Sequence, residues 1–163
     1  MKIPLRPLSL GLLIVAFFTL VLGRAQAGGS HYFPPVADQT VKEECGSCHL
    51  AFAASMLPAS SWKNMMGNLK NHFGDDASID PVLAAKITDY LVNNAADNGG
   101  QRYGDKLLRG VSATNAPLRI TELPKWIKGH RKVPDWEWKH KEVRTKANCT
   151  ACHMDAERGY YDE

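Results

Sequence analysis

The sequence predicts an all-α protein, with regular helices in its first half and much irregular structure in its second. Three observations predict it. Apolar residues recur at helical spacing behind recognisable caps between Thr40 and Leu91. Glycines then interrupt any long period between Asp97 and Pro117. Each half also carries one C-x-x-C-H pentapeptide, Cys45-Gly46-Ser47-Cys48-His49 and Cys149-Thr150-Ala151-Cys152-His153, and the two use every cysteine in the chain.

The first segment, Met1 to Ala27, reads as a cleavable signal peptide and so predicts export to the periplasm. Lys2 and Arg6 form its positive start, Leu8 to Leu22 its apolar stretch and Ala25-Gln26-Ala27 its cleavage site. The apolar stretch is also near the shortest that spans a bilayer, so an uncleaved anchor is the competing reading. Gly28 to Asp38, with Pro34-Pro35 and no helical period, is expected to be an irregular lead-in. Thr40-Val41-Lys42-Glu43 has the form of a capping box opening a helix into the first pentapeptide. Ser60 or Ser61 is expected to cap a second helix in which Trp62, Met65, Met66, Leu69 and Phe73 share a face until Gly74. Asp80-Pro81 is a cap followed by a first-turn proline, and Leu83, Ile87, Tyr90 and Leu91 form the apolar stripe of a third helix. After the glycine-rich break, a short helix is expected over Pro124 to His130 behind a Thr121 cap. The organisation is thus a signal peptide over 1–27, an N-terminal lobe over 28–98 and a C-terminal lobe over 99–163.

The pentapeptides carry the chemistry. Two thiols one helical turn apart can add to the two vinyl groups on one side of a porphyrin, and the histidine that follows then lies under the ring with its imidazole towards the iron. The sequence therefore predicts two covalently attached haem c groups, held by Cys45 and Cys48 and by Cys149 and Cys152, with His49 and His153 as proximal ligands. A zinc site built from both cysteine pairs would not need a histidine after each, and a redox dithiol would need only one pair. The chain without its signal segment has few apolar residues for two separate cores, and two porphyrins would supply much of the missing apolar mass.

The second axial position of each iron decides function: histidine closes it at low potential, methionine raises the potential, and a vacancy admits gases or substrates. His72 falls on the apolar face of the second helix and His130 on that of the short helix with Trp126 and Ile127. His140 is the rival of His130, because alternation in Trp136-Glu137-Trp138-Lys139-His140 would put both tryptophans and the histidine on one side of an extended segment. His31 lies in the lead-in. Met56, Met65 and Met66 read as apolar packing, and Met154 adjoins a proximal histidine and cannot easily reach the opposite face.

The formal charge of +3 belongs wholly to the signal segment, so the basic isoelectric point says nothing about nucleic acid. Residues 31–98 hold 4 basic and 8 acidic residues, and 99–163 hold 13 and 9. From Lys125 to Lys146 there are eight lysines and arginines against three acids, a patch suited to transient docking of an acidic partner.

Beyond these motifs, the blocks KEECGSCHLAF, LPASSWKNMMGNLKNHFGDDASIDP, ITDYLVNNAAD, PLRITELPKWIKGHRKV and KANCTACHMDAERGYYDE resemble the bacterial dihaem cytochrome c (DHC) family. They cover most of the chain from Lys42 to Glu163. The resemblance implies an N-terminal lobe like a small class I cytochrome c, a smaller C-terminal haem lobe, and two bis-histidine irons with His72 and His130 as distal ligands. It implies an electron-transfer shuttle rather than an enzyme. The partners it implies are a high-spin monohaem cytochrome c and a membrane cytochrome b. The competing function is a small dihaem enzyme or gas-binding protein with one open iron.

Overall fold

The computed structural model describes residues 31–99 and 103–161. The signal-peptide reading of 1–27 lies outside them. Among the described residues the regular structure is helical, with two isolated β-bridges and no strand, and no helix is long and apolar enough to cross a membrane.

Helix α1 is Gln39–Gly46. Its cap is Asp38 rather than Thr40: the Asp38 carboxylate accepts the Val41 N–H at 3.1 Å. Thr40 lies two residues later, inside the first turn, where its hydroxyl meets Lys86 of a neighbouring helix at 3.3 Å. Helix α2 is Ala59–Met66, and neither Ser60 nor Ser61 caps it. Instead the Ala59 N–H donates to the Asp97 carboxylate at 2.8 Å, while fully buried Ser61 donates to the Pro117 carbonyl at 2.7 Å. The helix stops at Gly67, seven residues before Gly74. Gly67-Asn68 puts two poor helix formers in succession, an interior glycine alone costing about 1 kcal/mol, and the chain continues as a 3-10 turn over Leu69–Asn71.

Helix α3, Pro81–Asn93, is as expected. One Asp80 oxygen accepts the Val82 and Leu83 N–H groups, Pro81 fills the first turn, and Ile87 and Leu91 are buried against α2.

The glycine-rich stretch contains a short helix, α4 (Gly104–Leu107), that packs into the core. A Cβ on Gly104 would sit 1.9 Å from the Ala96 carbonyl oxygen, so only glycine permits this approach. Helix α5 is Pro124–His130, preceded by a 3-10 turn that includes Thr121, with Leu123 as its cap. Trp136 and Trp138 lie in α6, Asp135–Trp138, and not in an extended segment: Pro134-Asp135 is a helix start, and five residues of alternation do not outweigh it.

One apolar cluster joins Val41, Leu57, Trp62, Ile87 and Leu91 to Leu107 and Leu123 from beyond Gly99. The lead-in also belongs to it through Phe33. The Phe33 N–H donates to the Gly159 carbonyl at 2.8 Å, the Tyr161 N–H donates to the His31 carbonyl at 3.2 Å, and Tyr32 and Tyr160 pair with ring centres 4.8 Å apart. The first and last described segments are therefore pinned to each other.

Candidate haem sites

The two pentapeptides take the same form on different scaffolds. In the first, Cys45 sits in the last turn of α1, and the chain leaves the helix through Ser47, whose hydroxyl donates to the Glu44 carbonyl at 2.9 Å. In the second, Cys149–Ala151 form a 3-10 turn, and the His153 N–H reaches the Cys149 carbonyl at 2.8 Å. None of the four cysteines pairs in a disulfide; the first of each pair is half-buried and the second exposed. Burial, and then Glu44, raises the Cys45 thiol, and burial pushes Cys149 up to about 11. A dithiol catalyst needs the opposite, a lowered thiol pKa. No group of three histidine, cysteine or acidic side chains converges as a metal cage among the described residues.

The imidazoles converge in pairs. His49 and His72 have ring centres 6.1 Å apart and planes 15° from parallel. His130 and His153 are 6.0 Å apart with planes at 77°. A metal–imidazole nitrogen bond is about 2.0 Å, and the ring centre lies about 1 Å behind that nitrogen, so two histidines on opposite sides of one ion stand about 6 Å apart. Both pairs fit. The nitrogens fit as well: Nδ1 of His49 donates to the Leu50 carbonyl at 2.7 Å, and Nδ1 of His130 to the Trp126 carbonyl at 2.9 Å. A carbonyl can only accept, so Nδ1 carries the proton and Nε2 keeps the lone pair a metal requires. His72 Nδ1 is buried without a hydrogen-bond partner. Burial first, then His49 and Arg119, lowers the His72 pKa and favours the neutral, ligating form.

His72 reaches this position from a turn rather than from a helix face. His72 and Asp75 pair through their backbones, and the two residues between them, Phe73 at φ 57° and Gly74 at φ 111°, both lie in the left-handed region. A phenylalanine there costs about 1–2 kcal/mol. The Arg119 guanidinium lies 3.8 Å over the Phe73 ring and offsets part of that cost. No periodicity signals such a turn; Phe73-Gly74 before two aspartates was its only trace.

Each imidazole also has an aromatic neighbour. Phe52 lies 5.1 Å from His49, Phe73 4.8 Å from His72, Tyr161 5.6 Å from His153, and Trp126 4.1 Å from His130 in a near-parallel stack. His140 is exposed, and its Nδ1 accepts the Glu142 N–H at 3.4 Å. Met154 is 92% exposed, and Met56 is buried in the core. Ile127, expected beside His130, is 52% exposed, because the short helix buries only its Trp126 side.

A helical protein with two C-x-x-C-H segments, each facing a second histidine, is a dihaem c-type cytochrome. The chain belongs to the dihaem cytochrome c family, whose model matches residues 41–161. It is similar to the diheme cytochrome c from Rhodobacter sphaeroides, at 43% identity over 77% of this chain and 98% of that one, with a TM-score of 0.70. A second structure of DHC purified from R. sphaeroides is 40% identical over 77% and 97%, with a TM-score of 0.63. A diheme cytochrome type c from Shewanella baltica is 35% identical over 76% and 86%, with a TM-score of 0.62. No curated relative matches the chain. Membership carries two covalently bound haem c groups, on Cys45 and Cys48 and on Cys149 and Cys152, and the role of an electron-transfer carrier.

Proposed function

We propose that the protein is a periplasmic electron shuttle with two closed, bis-histidine irons: His49 and His72 on the first haem, His153 and His130 on the second. The haems supply one-electron chemistry; the chain's own residues hold the imidazoles, exclude exogenous ligands and meet the redox partner. The observation that supports this is the pairing of the four imidazoles at 6.1 and 6.0 Å, which fits six-coordinate iron at both sites. The test is the visible spectrum of exported protein, oxidised, reduced, and reduced under carbon monoxide, with intact mass on the same sample. Two haems by mass and low-spin bands unmoved by carbon monoxide are expected. A carbon monoxide shift in unmodified protein would favour the gas-binding or enzymatic reading.

The proposed partner is a redox protein with an acidic face, such as a high-spin monohaem cytochrome c, with a membrane cytochrome b on the donor side. Within the basic stretch Lys125 to Lys146, support concentrates at one end. Lys125 and Lys128 join Lys106 and Arg109 of the glycine-rich stretch around a concave pocket that Pro124 also lines. None of these four cations forms an ion pair among the described residues. At about 3.6 residues per turn, Pro124, Lys125 and Lys128 lie on the side of α5 opposite Trp126 and His130. The cations therefore face away from the imidazole pair, which makes them poor partners for the haem propionates and available to a protein. Lys141, by contrast, already lies 3.9 Å from Glu142. Oxidation of the reduced protein by ferricyanide is expected to slow as salt rises, and K106E/R109E to weaken that dependence, while K139E/K141E leaves more of it intact. A cationic ruthenium hexaammine reagent should give the opposite sign. A flat salt profile with ferricyanide would sink the docking surface.

A further inference from the structure

The two imidazole pairs differ in one respect that their equal spacing conceals. The planes of His49 and His72 are 15° apart and those of His130 and His153 are 77° apart, near-parallel against near-perpendicular. The side chain that fixes this difference is identifiable. His130 lies against the Trp126 indole with ring centres 4.1 Å apart and planes 16° apart, closer than Phe52 to His49, Phe73 to His72 or Tyr161 to His153. The same residue accepts the His130 Nδ1–H at its carbonyl, 2.9 Å away. One residue thus fixes the imidazole twice, by its face and by its edge. Trp126 is braced in turn by Trp138, 5.7 Å away, and Lys146 lies 5.4 Å over the Trp138 ring. Phe52 beside His49 is a full ångström more distant, and Phe73 beside His72 is tilted by 59°.

We propose that Trp126 is a positioning residue that holds the His130 imidazole across that of His153 and so makes the second iron electronically distinct from the first. This rests on bis-histidine ligation as proposed above. In low-spin ferric iron each imidazole donates π density into the iron d orbital that its plane selects. Parallel planes select the same orbital and split the pair strongly; perpendicular planes select one each and leave the pair nearly degenerate. The first iron therefore gives a well-spread rhombic electron paramagnetic resonance spectrum, and the second a highly anisotropic one with a single resolved low-field feature. The iron dπ levels also set how readily an electron enters, so the two haems titrate at separate potentials.

The experiment is low-temperature electron paramagnetic resonance of the oxidised two-haem protein, with a redox titration, on the unmodified chain and on W126L and W126F. The unmodified protein should show both signals in equal spin. W126L should lose or shift the low-field signal and move one of the two potentials, with the rhombic signal as an unchanged internal reference. W126F, which keeps a stacking face, should retain the low-field signal. Two rhombic signals in the unmodified protein would overturn the proposal. So would a W126L variant that is less stable yet keeps the low-field signal, since Trp126 would then only fill space. If W126L fails to retain both haems, W126F still decides: loss of the low-field signal there would show that stacking is not what holds the ring. Carbon monoxide binding by the unmodified protein would instead overturn the ligation on which the inference rests.

Discussion

Replacing His130 with alanine is expected to open the second iron: on reduction, half of the haem absorbance should shift under carbon monoxide, where the unmodified protein shows no shift. His130 stands 6.0 Å from His153, and its Nδ1 is occupied by the Trp126 carbonyl, which leaves Nε2 for the iron. No neighbour can take its place. His140 is exposed and turned towards the Glu142 N–H, and Met154 is 92% exposed. Accordingly His140→Ala should leave both irons closed. The variant also loses the stack on Trp126, a contact worth about 0.5–1.5 kcal/mol, so a modest fall in thermal stability should accompany the optical change. His72→Ala is the corresponding change at the first iron. There the vacated ring is flanked by Phe73 and the Arg119 guanidinium, and no other histidine lies within ring contact of His49. Carbon monoxide binding by His140→Ala rather than His130→Ala would reverse the assignment.

The choice between His130 and His140 marks the limit of what the sequence made legible. Trp126 and His130 are four residues apart in a segment with a first-turn proline, and a helix brings such a pair together whatever the rest of the chain does. The Trp136-to-His140 segment offered alternation instead. That alternation was too short to decide against Pro134-Asp135, which starts a helical turn and sends Trp136 to the surface, 66% exposed. His72 is the instructive case, because it was expected on a helix face and comes to 6.1 Å from His49 by another route. Apolar spacing ran on past Gly67-Asn68, where the helix stops, and the imidazole arrives from a turn with two left-handed residues. The haem motifs were legible because covalent chemistry fixes their spacing locally. The Ser61 bond to Pro117, the burial of Gly104 against Ala96 and the basic pocket shared by Lys106 and Lys128 were not, since each joins residues that no local pattern links, 8 positions apart for Gly104 and Ala96 and 22 or more for the other two.

The largest stability effect is expected at Gly159, another such long-range contact. Gly159 has φ 87°, and a Cβ there would stand 2.1 Å from the Phe33 carbonyl oxygen. The left-handed backbone alone costs a side chain about 1–2 kcal/mol, and the clash adds to it because the obstructing atom is backbone that the Phe33–Gly159 hydrogen bond holds in place. Gly159→Ala should therefore lose several kcal/mol and lower Tm by roughly 10 °C. The damage has a direction. Phe33 meets Tyr161 edge-on at 5.7 Å, and Tyr161 lies 5.6 Å from His153, so separating the two chain segments loosens the proximal side of the second haem before the first. Thermal melts followed at haem bands should show the second iron's low-spin signal broadening or failing first, while the first persists. Gly159→Asn separates the two causes. Asparagine tolerates the left-handed region but carries the same Cβ, so it should recover little of the loss if the close approach to Phe33 dominates, and most of it if backbone conformation does.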